Sequence, residues 1–393
     1  MQPPAGESKT ATVPTAAVPQ SNLRVALLAP QTGAESGVGA SLVNAAQLAL
    51  NAPGAPALDV RDTQSTPEGA VAAATAAISA GDTLILGPLS SKETAAVAPI
   101  AQKAGVPVLA FTNDPSQAMP GIWTLGIGPA EQMRRLVLAA HNDMRMHLAA
   151  LLPQNAYGDL VAAELVKDSM DTGFGAPNIV RYGANFASIN RTIRELADYS
   201  DRRAPLDAKI TAAKALHTPE GRKQAADLAK QPISPPSFDV LVVGASGEEL
   251  KEIETLLPYY DITPDQVRFL GPSQWAYATG FDVSHIAGGW YAAPDPSLRT
   301  QFAQAYMDKF MQAAPQIADV AYDAASLARL LAAGQGFGTS SLSNPAGFAG
   351  VDGTFALQSD GHVKRGLAIF QMQSAGASQM VQPSPQNLSA AGK

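Results

Sequence analysis

Hydroxyl, amide and carboxylate side chains recur just beyond short apolar runs: Gln31-Thr32, Ser90-Ser91, Thr112-Asn113-Asp114, Ala245-Ser246 and Ser273-Gln274. Such groups, with free backbone N–H groups beside them, can hold a polar solute without making or breaking a bond. The same residue types also cap helices, and the two roles are compatible. Catalysis asks for more, namely a nucleophile, base or metal set in a cleft. Gly244-Ala245-Ser246-Gly247 lacks the spacing of a nucleophile elbow. Glu248 and Glu249 read as the solvated face of a helix, and His141, Asp143 and His147 as a surface cluster rather than metal ligands. Gly33, Gly37 and Gly39 in GAESGVG depart from G-x-G-x-x-G, so the loop reads as a tight turn or as backbone close to some other ligand. Asp114 is the one acid among the binding candidates, which leaves no second group for a reciprocal proton role. With no cysteine in the chain, a thiol catalyst, a disulfide and a thiolate metal site are excluded. The expectation is a binding protein without catalytic residues, metal or cofactor.

These groups need elements to position them. From Leu23 the sequence alternates short buried strands with amphipathic helices, the signature of a parallel α/β sheet. One series reads as strands at 23–29, 57–61, 83–86 and 106–111 with helices at 41–50, 67–80 and 92–104. A second places strands at 147–153, 178–182, 238–243 and 267–270, with helices at 159–171 and 248–257. Helices at 297–311 and 319–333 follow, then two closing strands, 353–358 and 366–372, around Ser359-Asp360-Gly361. The charged stretch 189–230, with RTIRELADYSDRR and EGRKQAADLAK, reads as a solvated helical insertion.

At 393 residues the chain has room for two domains, and 46% hydrophobic content can fill both cores. No apolar run approaches the roughly 18–20 residues that span a bilayer. A net charge of −7 argues against nucleic acid as a partner. Residues 1–22 are rich in Pro, Ala, Ser and Thr without apolar periodicity and read as a disordered tether, and 374–393 as a disordered tail. A polar tether ahead of the first strand suits a lipoprotein whose export signal and lipid-bearing cysteine have been removed.

The order of segments resembles the type I periplasmic binding proteins, branched-chain amino-acid receptors included, over about 23–373. The landmarks are VALLAPQTG, NAAQLALN, Asp62 with Thr63, LILGPLSSKETAAVAPIAQKAGVPVLAFTND, LLPQNAYGDLVAAEL, FDVLVVGA, RFLGPSQW and AYDAASLARLL. The resemblance implies two Rossmann-like lobes with parallel central sheets, three crossovers, and a ligand cleft between the lobes. Lobe one is expected at 23–144 plus 294–335, and lobe two at 145–293 plus 336–373. By position, Ser90, Ser91, Thr112 and Asp114 would form the first wall, and Tyr157 of NAYG would face the ligand from the second. Trp275 either adds an aromatic face or belongs to the core. Amino-acid receptors of this family can carry an acid after the GP of RFLGP. Ser273 stands there instead, leaving a ligand ammonium without its partner.

FDVLVVGASGEELKEIETLLPYYDI, VRFLGPSQWAY, GGWYAAPDP and GFAGVDGTFALQSDGHVKRGLAIFQMQ are further similar to penicillin-binding-protein activators, which are outer-membrane lipoproteins. The helical N-terminal domain of those activators is not in this sequence, so activation of a synthase is not inherited by resemblance alone. The sequence thus implies a periplasmic solute-binding protein with a small polar or amphipathic ligand and an ABC-transporter permease as partner. The alternative is a lipid-anchored adaptor of a peptidoglycan synthase with a vestigial cleft. Neither reading involves nucleic acid.

Overall fold

The computed structural model describes residues 23–278, 282–334, 336–375 and 377–389. The expected tether, 1–22, lies outside them. The chain begins with β1 (Arg24–Ala29), α1 (Ser36–Leu50), β2 (Ala57–Asp62), α2 (Pro67–Ser79), β3 (Ile85–Leu86), α3 (Ser91–Ala104), β4 (Val108–Ala110) and β5 (Ile122–Thr124). It crosses into a second unit through α4 (Pro129–Asn142), β6 (Leu148–Pro153), α5 (Ala156–Thr172), β7 (Asn178–Tyr182), α6 (Phe186–Leu196), α7 (Tyr199–Ala215) and α8 (Pro219–Leu228). That unit continues with β8 (Val240–Val243), α9 (Gly247–Leu256), β9 (Arg268–Gly271) and β10 (Trp290–Ala293). α10 (Pro296–Phe310), α11 (Ile317–Ala332), α12 (Thr339–Leu342), β11 (Phe355–Leu357) and β12 (Val363–Arg365) return to the first unit. β13 (Ala368–Met372) and β14 (Ser378–Gln382) end on the second.

The first sheet runs β2-β1-β3-β4-β5 and is parallel throughout. The second runs β14-β13-β10-β9-β8-β6-β7, parallel except for β13 and β14 at one edge. β1 is apolar without alternation because helices cover both of its faces, and Val25 through Ala29 are wholly buried. Alanine lets α1 and α11 lie close together: Ala45, Ala46 and Ala49 share one core with Ala318, Ala321 and Ala325. Local signals place the helices that carry the strand-end loops. Thr66 caps α2 by accepting from Gly69 N at 3.0 Å, with Pro67 in the first turn. Ser90 and Glu93 form a reciprocal capping box on α3, which stops at Gly105 with φ +68°.

Five expectations about organisation change. α4, expected in lobe one, packs Met133, Leu136 and Val137 against Leu148, Val242 and the rest of lobe two. The stretch from Phe337 to Val363, expected in lobe two, fills the lobe-one core with Phe348, Phe355 and Leu357, while Trp123 Nε1 donates to Gln358 O at 2.6 Å. The Asp-Gly turn closes β11 on β12 as a separate two-stranded sheet, and only β13 extends lobe two. Burial decided this, since Phe355, Leu357 and Val363 of the hairpin share the lobe-one core with Trp123 of β5. Within the expected tail, Ser378–Gln382 forms β14, with Gln379 opposite Gln371 of β13. Within the charged insertion, α6 buries Ile189, Ile193 and Leu196 in the lobe-two core, and only α7 and α8 stand apart around Leu206, Ile210, Ala213 and Ala225.

Candidate functional site

The lobe-one rim is built around two carboxylates. Asp62, at the end of β2, accepts from Gln31 N (2.9 Å), Thr32 N (3.1 Å), Gln64 N (2.8 Å) and Thr32 Oγ1 (2.6 Å). Burial opposes its charge, yet these bonds prevail and hold its carboxyl below the ordinary value. Gly33 has φ +87° and a Cβ there would fall 2.6 Å from Gln64 O, while one on Gly39 would fall 1.9 Å from Pro30 O. The glycines of this loop therefore serve a positive φ and a close helix–strand approach. Asp114 accepts from Ser91 Oγ (2.5 Å), Ser116 N (3.0 Å) and Ser116 Oγ (2.7 Å), and its own N donates to Thr112 Oγ1 at 3.1 Å. Burial again opposes the charge, and the hydrogen bonds outweigh it and lower the pKa. The Ser90 hydroxyl is occupied by Glu93, donating to Oε2 at 2.8 Å. Asn113 is exposed. Most of the rim's polar groups are thus engaged with one another.

The lobe-two rim differs from expectation at Ala245 and Tyr157, and Trp275 takes the core alternative. Trp275 is completely buried and donates from Nε1 to Ala245 O at 2.9 Å, so both residues belong to the core rather than to a ligand wall. Gly271 makes room for this, since a Cβ on it would fall 2.0 Å from the Trp275 ring. Tyr157 packs half-buried against the core beside α4, where its hydroxyl is enclosed without a hydrogen-bond partner among the described residues and burial pushes the phenol up to about 12. Ser246 is exposed, with no side-chain capping bond. Ser273 is partly buried and its N donates to Gln132 Oε1 of α4 at 2.9 Å.

A cavity of about 490 Å³ lies where the chain passes between the lobes. Phe111, Leu125 and Ile127 line it at the first crossover, Tyr291, Pro294 and Asp295 at the second, and Ser273, Tyr277 and Phe370 close it from lobe two. Tyr291 and Phe370 stack with centroids 5.3 Å apart. Arg299, Asp319, Val320 and Asp352 complete the lobe-one wall. Of the residues singled out from sequence, Ser273 alone is among those lining it.

The charged wall of this cavity is under electrostatic tension. Arg299 donates from Nε to Asp319 Oδ2 at 2.5 Å and from Nη2 to Ala314 O at 2.6 Å. Asp323 Oδ1 accepts from Val351 N at 2.7 Å, and Gly350 permits that approach, because a Cβ there would fall 2.4 Å from Asp323 Oδ2. Arg365 donates to Leu125 O and stands 3.9 Å from Asp323. Burial pushes Asp319 up to about 6 against the pull of Arg299, and Asp323 up to about 7 against that of Arg365. Burial also raises Asp352, against the pull of Arg365 and Arg299. The sequence does carry a signal for these groups: Asp319 and Asp323, four residues apart, lie on the buried face of the otherwise apolar α11.

With two α/β lobes, three crossovers and a cavity between them, the chain has the type I periplasmic-binding-protein fold. A family model described as a periplasmic binding protein matches residues 22–197. An uncharacterised protein of Rickettsia prowazekii (strain Madrid E) is 24% identical over 183 residues, or 46% of this chain and 49% of that protein. The C-domain of LpoA from Haemophilus influenzae, described as a regulator of PBP1A, superposes with a TM-score of 0.66 at 19% identity, covering 91% of this chain and 99% of the domain. A branched-chain amino acid ABC transporter periplasmic ligand-binding protein from Burkholderia xenovorans LB400 gives 0.59 at 16% identity, covering 93% and 96%. The chain spans about half (49%) of the curated relative it matches and 60% of full-length LpoA. At these identities the structural likenesses show the fold, and they are divided between a regulator and a transport receptor.

Proposed function

We propose that the chain is a non-catalytic solute-binding protein of the periplasm, which takes a small amphipathic ligand between its lobes. The observation that carries this reading is the cavity of about 490 Å³, walled by apolar groups from both lobes and by Arg299, Asp319 and Asp352 of lobe one. A ligand seated there touches the first two crossovers and both lobes, so its binding energy favours one relative lobe position over others. The wall offers aromatic and aliphatic surface with a few polar groups, the composition of a small-molecule site. Asn113, Ser246 and Ser273 remain as polar contacts at the cleft margins. An ABC-transporter permease is the partner this role calls for, and lipid attachment through an upstream cysteine would keep the receptor at the membrane. A thermal-shift screen of amines, neutral solutes and organic acids tests the reading, because a ligand specific to the folded state raises the melting temperature. Silence across the whole screen would count against a receptor.

A second reading has its own support. α7 and α8 form a charged hairpin around a small separate core, tied to lobe two through Arg202, whose guanidinium donates to Ser234 O at 2.7 Å and Ala197 O at 2.9 Å. Together with the likeness to the LpoA C-domain, this hairpin is the surface that an envelope adaptor of a peptidoglycan synthase would present. Pull-down of a synthase by the intact chain, lost when the hairpin is replaced by a short linker, would favour that role over transport.

A further inference from the structure

The third crossover passes between the lobes in a single step. Gly366 N donates to Thr354 O at 2.8 Å in lobe one, and the next residue, Leu367, lies in the lobe-two core. Beyond β14 the chain makes the same passage in reverse. Gln382 still pairs with Ile369 of β13, and its Oε1 accepts from Arg135 Nη2 of α4 at 3.0 Å, both in lobe two. Two residues later Ser384 Oγ donates to Gly366 O. Leu388 N then donates to Ala346 O at 3.3 Å, in the loop between α12 and β11 that fills the lobe-one core. Segment 383–389 thus spans the hinge beside the third crossover.

Lobe one is shaped to receive this segment. Gly353 has φ +98°, and a Cβ on it would fall 2.8 Å from Ser384 Oγ. A Cβ on Gly366 would fall 2.8 Å from Pro385 O. The sequence Gln382-Pro383-Ser384-Pro385 is also stiff. Each proline fixes its own φ and keeps the residue before it extended, so the segment is a spacer rather than a slack loop. Gly353 follows Asp352, which lines the cavity, so Ser384 backs one of its walls.

We infer that residues 383–389 are a strap, which holds the lobes near their present relative position and restrains opening of the cavity. Lobes joined by crossovers alone can turn about them. Here a turn must also break the bonds of Ser384 and Leu388 to lobe one, or that of Gln382 to Arg135 in lobe two. The attachments are few, and Pro383, Gln386 and Asn387 are exposed, so the strap is a releasable restraint and not a lock. It goes beyond either functional reading, because it acts on the lobes whatever fills the cavity.

The cysteine-free sequence lets spin labels be placed on introduced cysteines without background. Ala72→Cys on α2 and Ala163→Cys on α5 put one label on an exposed site of each lobe. Double electron–electron resonance on the full chain then reads the spread of inter-lobe distances. Replacing 383–389 by Gly and Ser residues of equal number should widen that spread at least about twofold. Gly366→Ala, whose Cβ would displace Pro385, should widen it by less. A control pair within lobe one, Ala72→Cys and Ala305→Cys, should be unchanged by either variant. Widening with the replacement alone supports the strap and makes Leu388 its main tie. An inter-lobe spread unaltered by the replacement overturns the inference, whatever Gly366→Ala does, and so does equal widening of the control pair. If circular dichroism shows the replacement variant unfolded, Gly366→Ala alone decides.

Discussion

The strand-end rim and the hinge cavity treat their polar groups in opposite ways. At the rim, Asp62 and Asp114 each collect several donors from neighbouring turns, and both are held below the ordinary carboxylate range despite partial burial. At the hinge, Asp319, Asp323 and Asp352 are all pushed up by burial, and Asp319 keeps an oxygen without a donor among the described residues. A satisfied group rigidifies a loop and gains little from a ligand. An unsatisfied one leaves binding energy to be recovered, provided a cavity adjoins it. The rim looks like a binding site in sequence, but the hinge has the energetics of one.

The largest effect should come from removing the cation that makes the hinge tolerable. Arg299→Met leaves Asp319 buried without its partner, and urea unfolding at neutral pH should show a loss of about 3 kcal/mol. The loss should shrink at about pH 5, where Asp319 takes up a proton and no longer needs the guanidinium. A penalty independent of pH would mean that Arg299 acts through packing alone.

At the rim, Asp114→Ala removes the acceptor of Ser91 Oγ, Ser116 N and Ser116 Oγ and should cost about 1–2 kcal/mol. The folded pKa of Asp114 is lowered, so its contribution is complete above the unfolded value and fades as pH falls through the folded one. The penalty should therefore be smaller near pH 3 than at neutrality. Its effect on solute affinity should be weaker than that of Asp352→Asn. Calorimetry showing the reverse order would return the binding site to the rim.

Asp168 sharpens the comparison from outside both regions. It is buried on α5 with Oδ2 lacking a donor among the described residues, and burial, reinforced by Glu164, pushes it up to about 7. It is not among the residues lining the hinge cavity. A raised carboxyl favours the fold in its neutral form, so its contribution is present at low pH and lost as pH rises through about 7. Asp168→Asn should raise the melting temperature by about 2 °C at pH 8 and leave it unchanged at pH 5. A rise of equal size at both values would show that charge is not its cost.

Much of the local structure was legible in the sequence, for identifiable reasons. β7 (Asn178–Tyr182) matches its expected range, and Thr66-Pro67 opens α2, because apolar runs and capping residues act over a few neighbours. Lobe membership was less legible. α4 and the β11–β12 hairpin carry apolar faces that either core could accept, and only the positions of β5 and β6 decide between them. The Ser and Thr residues past the strands showed where the rim lies, but nothing local told a free hydroxyl from the one on Ser91 that Asp114 engages.

By itself the sequence determined a parallel α/β chain, its strand-end loops and the absence of any thiol chemistry, because these follow from side-chain type and short-range periodicity. The tertiary structure decided which polar groups are left wanting. It buried Trp275 against Ala245, enclosed the Tyr157 hydroxyl, and brought Asp352 from a loop after α12 to Asp319 on α11. Partnering and desolvation depend on residues far apart in the chain, and they set the energy of a carboxylate more strongly than any sequence neighbour does.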